Sequence, residues 1–242
     1  MKYSPTLLPF LDTPGQPNIT GLKDKAVLYE GQRKRITCLS MAGNPLPNLK
    51  WFKGNEEITG ITTHKDKSSD YSRSEMIIIA NRSDNGVEYR CEAKNEAIES
   101  PLLTTVKLQV QFKPSEVSIS VDPETPKAGK KATLTCKSGS SNPTASIVWR
   151  KVIRSVKNYT VLHGITDFPT EGCEFGGNCT TNKLEIDVTA ELDGAIYICE
   201  ATNEELHESV HNAKTLSVNC KLCSFIILDF LTATVYEILL KY

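Results

Sequence analysis

Net charge is nearly absent from this chain: 28 lysines and arginines stand against 29 aspartates and glutamates, a formal charge of -1 at pH 7. No global field draws it to nucleic acid or to an anionic membrane surface. Tryptophan is scarce, with two residues, so the place of each one matters. A hydrophobic share of 39% and a charged share of 24% describe a soluble globular chain, neither disordered nor membrane-embedded. The chain has no phosphate-binding glycine loop and no G-x-S-x-G elbow. Cys220 and Cys223 form the one C-x-x-C pair, with no second pair to complete a four-thiolate zinc site. No metal, cofactor or small-molecule substrate is expected. The 242 residues suit one large domain or two small ones.

Cysteine is the plentiful exception, at Cys38, Cys91, Cys136, Cys173, Cys179, Cys199, Cys220 and Cys223. Eight are too few for a knottin-like scaffold yet enough for several bridges in larger domains. Self-comparison organises them. Ile36-Thr37-Cys38 aligns with Leu134-Thr135-Cys136, Asn44-Pro45 with Asn142-Pro143, Trp51 with Trp149 and Lys53 with Lys151, all at an offset of 98. Cys91-Glu92-Ala93-Lys94-Asn95-Glu96 aligns with Cys199-Glu200-Ala201-Thr202-Asn203-Glu204 at an offset of 108. The chain is a tandem repeat whose second copy carries an insertion between its tryptophan and its second cysteine.

In each copy a tryptophan follows the first cysteine by 13 residues, and a tyrosine precedes the second cysteine by two. This resembles the immunoglobulin arrangement. The resemblance implies a two-sheet sandwich bridged by Cys38 and Cys91 in one copy and by Cys136 and Cys199 in the other. Trp51 and Trp149 would pack on those bridges, and Tyr89 and Tyr197 would hydrogen-bond back to the corner entering their strand. Turn-forming residues mark those corners, Ser83-Asp84-Asn85-Gly86 and Leu192-Asp193-Gly194-Ala195. Asn85 stands where aspartate is usual. Each bridge would close a loop of more than fifty residues, worth roughly 4 kcal/mol in the chain-entropy model.

Period-2 alternation predicts strands with inward sets Ile36, Cys38; Leu49, Trp51; Tyr89, Cys91, Ala93; and Val106, Leu108, Val110. The second copy offers Ala132, Leu134, Cys136; Ile147, Trp149; Leu184, Ile186, Val188; Tyr197, Cys199, Ala201; and Leu216, Val218. Polar residues such as Glu88, Arg90, Glu92, Glu185 and Asp187 fall between them, so one face is core and the other wet.

Inter-sheet disulfides require an oxidising compartment, outside the cytosol. Four N-x-S/T triplets, at Asn18, Asn81, Asn158 and Asn178, fit a glycoprotein. Asn158 and Asn178 lie in the polar inserted stretch and are the preferred sites, followed by Asn81. Glycosylation of Asn178 would compete with bridging of Cys179. The first twelve residues carry one basic residue and an apolar run broken by two prolines, short of a signal-peptide core. From Ser224 to Tyr242 the chain is apolar but holds Asp229 and Glu237, each costing a few kcal/mol near a bilayer centre. Three readings stay open for it: a tail unrelated to the domains, an amphipathic helix or a strained membrane anchor.

His207-Glu208-Ser209-Val210-His211 matches the H-E-x-x-H zinc-hydrolase pattern, which needs a helix to bring its histidines together. Its place between two predicted strands argues for a hairpin, where the histidines would stand about 13 Å apart. That is too far to share one ion, and only His64 and His163 remain as further histidines. No enzyme activity is expected. Cys173 and Cys179 enclose Glu174-Phe175-Gly176-Gly177-Asn178, whose glycines favour a short local bridge; the alternatives are free thiols or other pairings.

Less generic runs narrow the resemblance: Gly43-Asn44-Pro45 to Leu49-Lys50-Trp51-Phe52-Lys53, Ser141 to Trp149, Gly194 to Glu204, and Ser209 to Val218. They are similar to nephrin-like adhesion proteins of the immunoglobulin superfamily and to their insect relatives, hibris and sticks-and-stones, over residues 15 to 219. The resemblance implies an all-β fold of two tandem immunoglobulin-like β-sandwich domains plus an atypical C-terminal apolar tail. Expected boundaries are an N-terminal segment 1–14, domains 15–112 and 113–219, and a tail 220–242. Pro114 would make the linker between the domains semi-rigid. A fragment of a type I membrane protein is expected, on the extracellular face of the plasma membrane. Its function would be cell–cell adhesion through an immunoglobulin-superfamily partner, the same or related; the alternative is a ligand-binding ectodomain fragment of a signalling receptor. Lys50, Phe52, Glu88, Arg90 and Glu92 would form the exposed face of the first domain. Phe52 is the best anchor among them, unless a neighbouring loop partly buries it.

Overall fold

The computed structural model describes residues 10–153, 159–164 and 167–219. Two compact units divide between Phe112 and Lys113. Each is an all-β sandwich of two mainly antiparallel sheets.

The first unit contains β1 (Asn18–Thr20), β2 (Ala26–Tyr29), β3 (Arg33–Met41), β4 (Asn48–Lys53), β5 (Glu56–Ile58), β6 (Thr63–Asp66), β7 (Tyr71–Ile79), β8 (Glu88–Lys94) and β9 (Leu102–Gln111). One sheet has the order β1-β3-β7-β6 and the other β2-β9-β8-β4-β5. Pairing is antiparallel except where β2 runs parallel to β9. The sharp bend between β1 and β2 falls at Gly21, whose φ is +87 and where an added Cβ would meet the Arg35 carbonyl oxygen at 2.5 Å. Only glycine fits that close approach. Asp12 pairs with Asn44 through two backbone hydrogen bonds of 2.9 and 3.1 Å. Residues 10–14 therefore belong to this unit, which moves the expected domain start at residue 15 toward the N-terminus.

The second unit contains β10 (Val117–Asp122), β11 (Lys131–Ser138), β12 (Ser146–Val152), β13 (Thr160–Leu162), β14 (Phe168–Thr170), β15 (Cys179–Asp187), β16 (Ile196–Asn203) and β17 (Glu208–Thr215). Its sheets have the orders β10-β11-β15-β14 and β13-β12-β16-β17. β13 and β14 take the places of β5 and β6 in their sheets, and the turn at Glu174–Gly176 lies in the longer β14–β15 connection.

Each core is built on the alternating residues. Cys38 is joined to Cys91 and Cys136 to Cys199, each pair spanning 6.4 Å between Cα atoms. Trp51 and Trp149 lie fully buried in their respective clusters. Ile186 is packed against its core but only partly buried. A buried indole N–H needs an acceptor, and the units supply different ones. Trp51 Nε1 donates to Ser74 Oγ at 3.2 Å, whereas Trp149 Nε1 donates to Asn182 Oδ1 at 2.9 Å. Asn182 is in turn held by Asp167 Oδ1 at 2.8 Å.

Candidate docking interface

The outer face of the five-stranded sheet in the first unit carries Lys50, Phe52, Glu88, Arg90 and Glu92. Alternation puts them there, because Leu49, Trp51, Tyr89, Cys91 and Ala93 turn inward and are buried. Register sets Lys50 opposite Glu92, Phe52 opposite Arg90, and Glu88 opposite Lys107. The Arg90 guanidinium lies over the Phe52 ring, 4.4 Å from its centroid. Arg90 Nε is 2.9 Å from Glu92 Oε1, close enough for charge attraction but off hydrogen-bond alignment. Lys50 Nζ donates to Glu57 Oε2 at 3.0 Å. Phe52 is thus half-buried under Arg90, from across the sheet, where a loop was the expected cover.

Beside Phe52 runs a groove of about 640 Å³ lined by Pro45, Leu46 and Pro101 together with Lys65 and Lys94. Asn95 holds its upper wall in place. Its Nδ2 donates to the carbonyls of Pro45 at 2.9 Å and Asp12 at 2.7 Å, while its Oδ1 accepts from the Ala97 amide at 3.0 Å. Asn203 repeats the clamp, donating to the Pro143 carbonyl and accepting from the Leu206 amide. The repeated Asn-Pro pair and the repeated asparagine after Cys-Glu-Ala-x are two ends of one device. Sequence comparison aligned both without revealing that they touch. It also missed Leu103, which sits opposite Glu92 on this face and is 47% exposed. Leu102 and Leu103 are both apolar, so alternation alone does not show which faces out.

The tyrosines differ in their surroundings. Burial pushes the Tyr89 hydroxyl well above its ordinary range, helped by the charge of Asp84 and a hydrogen bond to it. Tyr197 is raised by burial alone. Asn85 Oδ1 accepts from the Val110 amide at 3.0 Å, and Asp193 Oδ1 accepts from the Val218 amide at 2.9 Å. Asparagine serves as well as aspartate there because the bond needs only an oxygen acceptor.

The candidate glycan sites separate. Asn18 is exposed on β1, opposite Leu39. Asn81 is exposed, and its Oδ1 accepts from Ser83 N and Oγ, each at 3.0 Å. Asn178 does not lie in an open loop. It is half-buried, its Nδ2 donates to Thr144 Oγ1 at 2.7 Å, and its backbone pairs both ways with Ser141 at 2.9 Å. Thr180, the third residue of that triplet, is fully buried and donates to the Ala145 carbonyl. Asn81 is therefore the more accessible of the two asparagines, although the insertion favoured Asn178. Its neighbour Cys179 is bridged to Cys173. Asn158, Cys220, Cys223 and the tail from 220 to 242 fall outside the described residues.

His207 occupies a turn with φ 51, and His211 lies on β17 opposite Glu200. Turn and strand do not present two histidines on one helical face. No helix among the described residues is long and apolar enough to cross a membrane.

The immunoglobulin domain model matches residues 16–95 and again 116–203. This chain belongs to the immunoglobulin domain family. It is 28% identical to human nephrin over 211 residues, covering 83% of this chain and 16% of nephrin. It is also 28% identical to mouse cell adhesion molecule 1 over 185 residues, covering 75% of this chain and 36% of that protein. These relatives support the nephrin-like reading of the less generic runs, and the chain spans well under half of either relative's length. The full ectodomain of mouse nectin-like molecule 4 has a TM-score of 0.54 at 22% identity, covering 87% of this chain and 66% of that one. The two-domain structure titled Rst D1-D2 has a TM-score of 0.53 at 15% identity, covering 84% of this chain and all of that one. At those identities the shared property is the immunoglobulin fold.

Proposed function

We propose that the chain is an extracellular adhesion and recognition module that acts by protein contact. Its partner is an immunoglobulin-superfamily cell-surface protein, the same chain or a related one, docked on the outer face of β2-β9-β8-β4-β5. One observation carries this reading: Phe52 is held under Arg90 beside a groove with proline and leucine walls. Aromatic and arginine side chains are the residues that most often anchor protein interfaces, and Phe52 here is already partly ordered before docking. Charged neighbours of both signs, Lys50, Glu88 and Glu92, surround the anchor and set orientation more than affinity.

The compartment follows from three disulfides, which persist where thiols are not kept reduced. Relatives named nephrin and cell adhesion molecule support the adhesion role. In this reading the two domains stand on the outer surface of the cell as part of a membrane-anchored parent. A glycan at Asn18 leaves the docking sheet open, since Asn18 belongs to the opposite sheet.

Beads coated with the purified chain test the reading. Clustering, alone or with beads bearing a related immunoglobulin protein, is the expected result. Dispersed beads together with tight binding of a secreted ligand would replace adhesion with the ectodomain-receptor reading.

A further inference from the structure

The bend between β1 and β2 builds a second surface, remote in chemistry from the Phe52 face. An open groove of about 810 Å³ runs along residues 19–28, and three of its lining side chains are Lys23, Lys25 and Lys34. Gly21 makes the bend, as described above, and the turn after it is pinned to β9. Lys25 N donates to the Lys107 carbonyl at 2.8 Å, and Asp24 Oδ1 accepts from the Lys107 amide at 3.0 Å. Asp24, the one acid lining the groove, is tied to that backbone donor. Lys25 keeps φ at 56, a conformation that costs a non-glycine residue energy. Among the described residues, no ion pair involves Lys23, Lys25 or Lys34. The groove's lining carries three ammonium groups against one carboxylate, a local positive excess in a chain whose net charge is -1.

We propose that this groove binds a sulfated polysaccharide of the extracellular matrix or cell surface. The shape is an open channel rather than a closed pocket, which suits a chain passing through. The side chains are flexible ammonium groups, which hold anionic oxygens as point charges without demanding one fixed geometry. The three disulfides place the protein where abundant linear polyanions are sulfated polysaccharides and not nucleic acids. Binding here is independent of docking at the Phe52 face, so either can fail without the other.

The probe is immobilised heparin, challenged with the 242-residue chain at increasing salt. With three cationic contacts displacing counterions, affinity should fall roughly twentyfold between 50 and 200 mM salt, by analogy with single-stranded polyanions. The triple variant Lys23→Ala, Lys25→Ala, Lys34→Ala should elute at much lower salt, while Lys→Arg at the same three positions should restore retention. Lys65→Ala with Lys94→Ala, in the other groove, should change little. Intrinsic tryptophan fluorescence checks that every variant is folded. No retention of the parent chain, equal retention of the triple variant, or equal retention on desulfated heparin overturns the proposal. Equal affinity for double-stranded DNA, with no preference for heparin, overturns the assignment to polysaccharide.

Discussion

At the corner before the second cysteine, the first unit buries Asp84, which is 2% exposed and pairs with Lys53. Asp84 also accepts from the Asn81 amide at 3.2 Å and from the Tyr89 hydroxyl. The second unit puts Leu192 in the same place, buried in the core. Their outer faces part in the same way. Where the first unit stacks Arg90 on Phe52, the second places Arg150 opposite Ile198, paired with Glu200 and 5.5 Å from the Tyr159 ring centroid. Arginine has moved to β12, the counterpart of the strand that carries Phe52, and its aromatic partner Tyr159 lies just before β13. The disulfide and tryptophan tolerate either solution because they are buried between the sheets, and the tyrosine is buried with or without Asp84 as its acceptor. Divergence therefore accumulates at corners and outer faces, and function belongs there rather than in the shared frame.

The largest predicted difference lies at the corner. Asp84→Ala removes an acceptor from two donors, the Asn81 amide and the Tyr89 hydroxyl, costing about 2–4 kcal/mol. Denaturant unfolding read from Trp51 in a Trp149→Phe background measures it in the first unit alone. Lys151 and Tyr197 stand at the register positions of Lys53 and Tyr89. Leu192→Asp is accordingly expected to cost less with Lys151 present than in Leu192→Asp with Lys151→Ala; an equal cost in both would show that the corner pair cannot be transplanted.

Next in size is the docking anchor. Phe52→Ala should weaken partner binding by about 2 kcal/mol, roughly thirtyfold, as read by surface plasmon resonance. Arg90→Ala should have a smaller effect, because it uncovers the ring without removing it.

The alkaline response of the units should differ more subtly. Both tyrosines ionise less readily folded than unfolded, so stability is intact below the ordinary tyrosine value of 10.0 and falls as pH rises above it. The unfolded chain then binds fewer protons than the folded one. Because Asp84 adds its charge and hydrogen bond to burial, the decline should reach to higher pH in the first unit than in the second. Asp84→Asn should bring the two melting profiles together in thermal scans above pH 10.

The smallest effect is the most pointed. Asn85→Asp and Asp193→Asn should each shift stability by less than about 0.5 kcal/mol, since one oxygen accepts one amide in both corners. A loss of more than 1 kcal/mol in either would show that the charge matters as well as the acceptor.

Much of this frame is legible in the linear sequence because its signals are local. Cysteine, tryptophan and tyrosine spacing marks the sandwich twice, and alternation assigns the inward residues, with Ile186 only partly buried at the end of its run. Features that depend on partners far along the chain were not legible. Asn178 looks like an open sequon until Thr144, 34 residues earlier, takes its amide. The cover over Phe52 reads as a neighbouring loop until cross-strand register sets Arg90 over the ring. Asp12 lies in a proline-rich start with no periodicity, and its pairing with Asn44 rests on the Asn95 clamp. The Lys23–Lys25 turn carries charge in plain sight, but the bond that ties Asp24 to the backbone of β9 joins residues 83 apart.

The central claim is that the first unit docks through its Phe52 face and the second does not dock through the equivalent Arg150 face. Bead clustering by the parent chain, by Phe52→Ala and by Arg150→Ala compares them directly. The account predicts that Phe52→Ala abolishes clustering at concentrations where the parent aggregates, and that Arg150→Ala clusters like the parent. Unimpaired clustering by Phe52→Ala, or its loss in Arg150→Ala alone, would contradict it.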